Sequence, residues 1–194
     1  MICPLHAWGD ESIRSHGLDA PAYLLGASIV DTDDVDATRD VLNTIHPGAK
    51  KLHWRDLDGA RRDRVTSAIA SLRAAHLVIV GSPVALRRQE RARAFCLRRL
   101  LWELDAQGVS RLSLEARPAE LMRRDRRLVD ALRAQRAIAP SFRVSHELPD
   151  QEPMLWVPDQ VLGIVGASLA ADHRRMAVLD AVTTVVRLAD LDLS

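Results

Sequence analysis

Cysteine is almost absent from this sequence, and no long hydrophobic run interrupts it. Cys3 and Cys96 are the only cysteines, and they lie far apart with no Cys-x-x-Cys spacing. This scarcity argues against a disulfide framework and against a cysteine-ligated zinc site. The longest apolar stretch, 161–171, contains two glycines and falls well short of the roughly 20 residues that cross a bilayer. We therefore expect a cytoplasmic protein with no membrane partner.

The glycine-rich motifs of nucleotide-binding proteins are missing as well. The chain has no Gly-x-x-x-x-Gly-Lys loop, no Gly-x-Gly-x-x-Gly turn and no Gly-x-Ser-x-Gly sequence. These absences argue against a P-loop NTPase, a dinucleotide-binding dehydrogenase and an enzyme built on the nucleophile elbow of the α/β-hydrolases.

Lysine is nearly absent too, and its place is taken by arginine. Lys50 and Lys51 are the only lysines, although the net charge is +1 and charged residues make up 27% of the chain. Arginine binds phosphate in a bidentate manner, so the clusters at 87–99 and 117–136 are either solvated helix faces or surfaces for a polyanion. With 47% hydrophobic residues in 194, the composition predicts one globular domain over 1–194.

The spacing of apolar residues alternates between strand and helix periods, which predicts an α/β fold. We predict a mixed five-stranded sheet flanked by helices, antiparallel in its first half and parallel in its second. The predicted strands are 5–9, 22–30, 76–80, 111–116 and 141–147. The predicted helices are 35–45, 60–74, 89–106, one starting at Pro118, and 158–171. The tail is ambiguous, since 177–182 favours helix and 183–188 favours an edge strand.

Acidic residues recur at three places that the predicted fold brings to one edge of the sheet. Asp10 and Glu11 end the first strand, Glu115 lies in the strand at 111–116, and Asp159 opens the last helix. Clustered carboxylates repel one another unless a cation neutralises them. Hard oxygen ligands suit Mg²⁺ or Mn²⁺, and such ions promote phosphodiester hydrolysis. The pattern therefore predicts an acidic metal centre for phosphoryl transfer.

Several of these segments together carry a family resemblance. They are a strand followed by Asp10, Glu11 and Ser12, the histidine-containing segment 52–57 before a helix, the acid-bearing strand at Glu115 and a helix opening with Asp159. Together they resemble the ribonuclease-H-like proteins of the domain of unknown function 3800 family. The chain differs from that family at Ile13, where glycine is usual, and at Glu115, where aspartate is commoner.

The resemblance implies a ribonuclease-H-like fold and a nuclease that depends on Mg²⁺ or Mn²⁺ and acts on RNA or DNA. In that hypothesis Asp10, Glu115 and Asp159 are metal ligands. Glu11 and His53 assist: Glu11 points to the other face of an extended strand, and His53 carries protons or contacts phosphate.

Other interpretations of the same residues stay open. The acids at 10 and 11 fit a solvated turn, Glu115 fits an exposed strand residue paired with an arginine, and Asp159 complements a helix dipole. His53 fits a structural histidine. Two alternative functions also stay open: a non-catalytic nucleic-acid- or protein-binding module that retains the fold, and a small-molecule phosphohydrolase. For nucleic-acid binding we predict one arginine face on the helix after Pro118, made of Arg123, Arg126, Arg127 and Arg133. The sequence leaves the oligomeric state open.

Overall fold

A six-stranded mixed sheet with helices on both faces forms the molecule, whose computed structural model describes residues 4–48 and 50–188, without the side chain of residue 86. The strands are β1 (Leu5–Arg14), β2 (Ala22–Asp31), β3 (Ala74–Gly81), β4 (Val109–Glu115), β5 (Arg143–Glu147) and β6 (Thr183–Leu188). The helices are α1 (Val35–Ile45), α2 (Gly59–Ala70), α3 (Gln89–Ala106), α4 (Ala119–Ala134), α5 (Trp156–Leu169) and α6 (Met176–Leu179).

The strand order is β5-β4-β1-β2-β3-β6. Strand β2 is antiparallel to β1 and β3, whereas β4 is parallel to β1 and β5, and β6 is parallel to β3. The predicted mixed α/β fold is confirmed, with an antiparallel first half and a parallel second half. The predicted number of strands is wrong by one, because the ambiguous tail segment adds β6 to the free edge of β3.

Helices cover both faces of the sheet, so the central strand β2 is buried along nearly its whole length. Its side chains alternate between two cores. Leu25 and Ala27 pack with α3 and α4 in one core, and Leu24 and Val30 pack with α1, α2 and α5 in the other. A strand that is buried on both faces has a continuous run of apolar residues, which explains why β2 could be predicted from the sequence.

Strand β1 is longer than predicted, and the difference matters for the acidic residues. It continues to Arg14 because it pairs with β2 over its full length, from Leu5 opposite Asp31 to Arg14 opposite Ala22. Asp10 and Glu11 therefore lie inside a strand rather than in a turn after it. Their side chains point to opposite faces of the sheet, as successive residues of a strand must.

Two glycines allow helix α5, which carries Asp159, to lie close to the sheet and to the segment before α2. A Cβ atom at Gly26 would lie 2.9 Å from a methyl carbon of Leu162, so the Leu162 side chain of α5 packs directly on the backbone of β2. A Cβ atom at Gly163 would lie 2.1 Å from Cγ of Trp54, whose indole ring therefore rests directly on the helix. Both contacts fix α5 against the sheet and against the segment before α2.

Within the described residues, no helix is both long enough and apolar enough to cross a membrane.

Candidate metal centre

Three carboxylates from three elements meet at one edge of the sheet. Asp10 lies on β1, Glu115 is the last residue of β4, and Asp159 lies in the first turn of α5. Strands β1 and β4 are parallel neighbours with Gly9 opposite Leu114, so the next residue of each strand carries an acid. The structure thus brings together the three residues that the sequence predicted as metal ligands. Their role as ligands stays a prediction.

The ammonium group of Lys51 lies among these carboxylates. Its Nζ atom is 2.8 Å from Oδ2 of Asp10 and 3.5 Å from Oδ1 of Asp159, and it donates a hydrogen bond to Oε2 of Glu115. The Lys51 side chain is only 8% exposed. A lysine ammonium has three hydrogens to donate, and here three carboxylates surround it. The centre of the acidic cluster is therefore a cation position.

The backbone around Lys51 is tied to helix α5. The amide of Trp54 donates to Oδ2 of Asp159 at 2.7 Å, and Nε2 of Gln160 donates to the carbonyl of Leu52 at 2.6 Å. The Trp54 ring, which is 5% exposed, rests on Gly163. These contacts hold residues 52–54 beside the first turn of α5 and orient the Asp159 carboxylate, so that its Oδ1 atom faces Lys51.

Burial and mutual repulsion shape the ionisation of the cluster. Burial raises the pKa of Glu115, and the charge of Asp10 raises it further, while Lys51 lowers it. Burial also raises the pKa of Asp159, against the opposing charge of Lys51. Burial alone would lower the pKa of Lys51, but the charges of Asp10 and Asp159 outweigh it and raise that pKa. Crowded carboxyl groups have raised pKa values when too little positive charge lies near them. The site therefore strongly favours a bound cation.

His53 lies at the edge of the same centre. Its Nδ1 atom is 3.8 Å from Oδ1 of Asp159, and its side chain is about one third exposed. A histidine in this position can receive or donate a proton at the cavity surface, and its contact with a carboxylate orients the ring. The structure therefore places His53 near the acids, and its catalytic role stays a prediction.

A cavity of about 470 Å³ opens over the carboxylates. Its wall includes Arg14 and Arg117. Nε of Arg14 is buried and lacks a hydrogen-bond partner in the described structure, whereas Nη1 of Arg117 lies 3.8 Å from Oδ1 of Asp125. Arg14 lies against α5, where a Cβ atom on Gly166 would be 2.5 Å from its Nε. Guanidinium groups in a cavity wall are suited to bind the oxygens of a phosphate group.

Glu11 faces the other side of β1, as its position next to Asp10 requires. Its carboxylate binds Arg93 and the hydroxyl of Tyr23 through Oε2, and its Oε1 atom is 3.2 Å from Nε of Arg117. Arg93 is only 3% exposed and also binds Asp125 with two hydrogen bonds of 3.0 and 2.8 Å. Glu11 is therefore held by cations behind the strand. In this arrangement it supports the site from behind β1.

Asp125 is the acidic partner at the far end of this network. Burial raises its pKa, but hydrogen bonds from His146 and Arg93 and the charges of Arg93 and Arg117 lower it more, so the pKa falls to about 2. His146 approaches its Oδ2 atom at 3.1 Å. The network joins α3, α4 and β5 and stabilises the position of Glu11, and both Glu11 and Arg93 also line the cavity.

The four arginines predicted to form one face of α4 divide into two groups. Arg123, Arg126 and Arg127 are exposed. Arg133 is half-buried, and its guanidinium donates to the carbonyl of Phe142 at 2.6 Å and to Asp130 at 2.9 Å. Those bonds fasten the end of α4 to the segment before β5, which gives Arg133 a structural task that the sequence pattern did not indicate.

Sequence reasoning missed Lys51, Arg93 and Asp125. Arg93 and Asp125 lie in arginine-rich helices whose charged residues were expected at the surface, either solvated or bound to a polyanion. Only the tertiary pairing shows which of them turn inward. For Lys51 a signal was available. Lys50 and Lys51 are the only lysines in a chain that otherwise uses arginine, and they directly precede the His53 segment.

The donor set fits a hard divalent cation. Carboxylate oxygens are the ligands that Mg²⁺ and Mn²⁺ prefer, and the ammonium of Lys51 marks the point on which they converge. In residues 4–48 and 50–188, however, no three acidic, histidine or cysteine side chains are arranged to hold a metal ion as they stand. The ammonium of Lys51 lies among the three carboxylates.

No protein-family model and no curated protein sequence matches the chain, so membership of the domain of unknown function 3800 family stays a prediction. Solved structures do resemble it. "Bst-RNase HIII in complex with Mn2+" is 11% identical, with a TM-score of 0.51 over 89% of this chain and 55% of that one. RNase HII from Archaeoglobus fulgidus, solved with PCNA, is 13% identical with a TM-score of 0.48 over 91% and 76% of the chains.

Ribonuclease H2 from Pyrococcus horikoshii OT3 is 12% identical, with a TM-score of 0.46 over 91% and 76% of the two chains. The superposition on Bst-RNase HIII, together with a mixed sheet covered by helices on both faces, shows that the chain has a ribonuclease-H-like fold.

Proposed function

We propose that the protein is a nuclease that hydrolyses phosphodiester bonds in RNA or DNA and depends on Mg²⁺ or Mn²⁺. One observation carries the proposal: Asp10, Glu115 and Asp159 converge on a single cation position inside an open cavity. The similarity of the fold to ribonucleases supports it. Under this proposal residues 1–194 act as one ribonuclease-H-like domain.

Each residue of the site has a task in this reaction. Asp10, Glu115 and Asp159 would hold the cation, which supplies positive charge at the phosphoryl group undergoing hydrolysis. The amide of Trp54 keeps the Asp159 carboxylate in place. Glu11 is fixed by Arg93 behind β1 and maintains the position of the strand that carries Asp10. In this scheme the carboxylates supply the negative charge that holds the cation, and backbone hydrogen bonds orient them.

The residues around the carboxylates complete the substrate site. His53 faces the cavity near Asp159 and would exchange a proton with water or with the leaving oxygen. The guanidinium groups of Arg14 and Arg117 lie in the cavity wall and would bind phosphate oxygens. The exposed arginines Arg123, Arg126 and Arg127 would attract the rest of the polyanion.

The test is cleavage of labelled oligonucleotides by chelator-stripped protein to which Mn²⁺ or Mg²⁺ is returned. The panel contains single-stranded RNA, single-stranded DNA, both duplexes and the hybrid, with free nucleotides as competitors to reveal a small-molecule phosphohydrolase. Asp10→Asn removes one carboxylate charge from the centre, and Asp19→Asn is the matched control because Asp19 is exposed and outside the site. We expect metal-dependent cleavage by the control and none by Asp10→Asn. Full cleavage by Asp10→Asn would reject the proposed site.

One observation favours a second candidate function. The cation position is filled by the protein's own Lys51, as it would be in a module that keeps the fold without metal chemistry. Such a module would bind nucleic acid through arginine and phosphate, so its affinity would fall steeply with salt and would be indifferent to chelator. Binding measured with and without a chelator, at several salt concentrations, separates the two candidates.

A further inference from the structure

The position of Lys51 has a consequence for how any metal could enter the centre. The Nζ atom approaches Asp10 at 2.8 Å and Asp159 at 3.5 Å, and it also bonds to Glu115. Mg²⁺ binds carboxylate oxygens at about 2.0–2.1 Å and demands near-octahedral geometry. A metal ion on the same oxygens would therefore occupy the space of the ammonium group and repel its charge. Lysine and metal exclude each other.

The contacts around Lys51 allow its side chain to leave while the adjacent backbone stays in place. On one side, residues 52–54 are anchored by Gln160, by Asp159 and by the close packing of Trp54 on Gly163. The side chain of Lys51, by contrast, is held through its Nζ atom by the three carboxylates. A lysine side chain has four flexible methylene groups, so rotation alone can move its charge out of the centre.

We propose that Lys51 is an internal competitor for the divalent cation: its ammonium neutralises the carboxylates in the metal-free protein and must swing out before metal binds. This inference rests on the proposed function, because it requires Asp10, Glu115 and Asp159 to be metal ligands. The apparent metal affinity is then the intrinsic affinity multiplied by the fraction of molecules in which the ammonium has left the centre. Metal binding is thus coupled to a movement of Lys51.

Calorimetric titration of Mn²⁺ into chelator-stripped protein tests the competition. Lys51→Met removes the ammonium and keeps a long side chain, and Lys50→Met is the matched control because it removes the same charge from an exposed neighbour. We expect Lys51→Met to bind Mn²⁺ at least tenfold more tightly than the wild type, which is about 1.4 kcal/mol, and Lys50→Met to bind as the wild type does.

Equal or weaker binding by Lys51→Met would overturn the competition and leave metal-dependent function standing. Absence of Mn²⁺ binding in the wild type and in Lys51→Met alike would overturn both proposals. The two failures are therefore distinguishable.

A second measurement uses the unaltered protein, in case Lys51→Met does not fold. Lys50 and Lys51 are the only lysines, so an amine-acylating reagent followed by peptide mass spectrometry reports on each separately. In metal-free protein we expect the buried Lys51 to be labelled at least tenfold more slowly than the exposed Lys50. Saturating Mn²⁺ should raise the labelling rate of Lys51 several-fold and leave Lys50 unchanged. An unchanged or lower Lys51 rate under saturating Mn²⁺ would overturn the proposal.

Discussion

The Nζ atom of Lys51 lies 2.8 Å from Oδ2 of Asp10, with carboxylates from two further elements around the same ammonium group. The relationship links a loop, two neighbouring strands and the first turn of α5. It shows that the fold collects acidic residues from distant parts of the sequence around one cation position. The position is open to a cavity, which is what a site for a charged substrate requires.

Replacing His53 tests its assigned part in proton transfer. We expect His53→Ala to lower the rate of metal-dependent cleavage by roughly 10²–10⁴-fold, the usual contribution of a general acid or base. Mn²⁺ affinity should change little, since His53 lies 3.8 Å from Asp159 and outside the cluster of carboxylates. Single-turnover cleavage and calorimetry measure the two effects, and the exposed His16→Ala variant is the control. A normal cleavage rate in His53→Ala would assign His53 a structural role.

The exposed arginines of α4 should govern electrostatic attraction of nucleic acid. Replacing Arg123, Arg126 and Arg127 together by glutamine should weaken binding and reduce the slope of log affinity against log salt by roughly 2 to 3, about 0.9 for each phosphate of duplex DNA that is no longer neutralised. Arg133→Gln is the contrasting variant. Its guanidinium is bonded to Phe142 and Asp130, so we expect lower stability with an unchanged salt slope. An unchanged slope in the triple variant would remove this face from the interface.

Asp125 should give the protein a pH-dependent part of its stability. Its folded pKa of about 2 is below the usual value for aspartate, so the ionised form stabilises the fold above pH ~4, and this contribution is lost as the pH falls through about 2. The difference between the folded pKa of Asp125 and the usual aspartate pKa corresponds to about 2 kcal/mol of stability at neutral pH. The groups facing Asp125 are Arg93, Arg117 and His146.

Urea denaturation of the wild type and of Asp125→Asn between pH 3 and 7 measures this effect. We expect the difference in free energy of unfolding to be largest at pH 6–7 and to narrow below pH ~4. The control is Asp130→Asn on the same helix, whose exposed ion pair with Arg133 is expected to contribute less than about 1 kcal/mol. A difference that stays constant down to pH 3 would contradict the assigned ionisation.

The contact between Gly163 and Trp54 should be intolerant of a single methyl group. A Cβ atom on Gly163 would lie 2.1 Å from the indole ring, so Gly163→Ala must push Trp54 away and loosen residues 52–54. We expect a loss of about 1–3 kcal/mol in the free energy of unfolding, the usual cost of overpacking. In Gly59→Ala the nearest atom is 4.0 Å away, so that variant should be neutral or slightly stabilising. Equal stability of the two variants would show that this close approach does not limit packing.

Local sequence signals predicted much of the fold. Helices α1 and α3 begin and end at the predicted residues, because apolar spacing and a turn-forming glycine or proline mark them clearly. Strand β6 was ambiguous because a short segment rich in β-branched residues becomes a strand only when an edge such as β3 is available for pairing. The length of β1 was underestimated for a similar reason, since its polar second half is defined by its pairing with β2.

The acidic residues of the candidate site could be predicted from the sequence, but its buried cationic residues could not. Asp10, Glu115 and Asp159 could be identified because they lie at strand and helix positions that an α/β sheet brings to one edge. Lys51 lies on a loop, and its place depends on bonds from Trp54 to Asp159 and from Gln160 to Leu52 that span more than 100 residues of sequence. The ion pair of Arg93 and Asp125 likewise forms only in the folded chain.

Calorimetric titration of Mn²⁺ into the chelator-stripped protein tests most directly whether the three carboxylates form a divalent-cation site. The wild type, Asp10→Asn and the exposed control Asp19→Asn are compared, with and without a bound oligonucleotide. We expect saturable binding by the wild type and by Asp19→Asn, and binding at least tenfold weaker in Asp10→Asn. Absence of saturable binding in the wild type under both conditions, or equal affinity in Asp10→Asn, would contradict the assignment of this site.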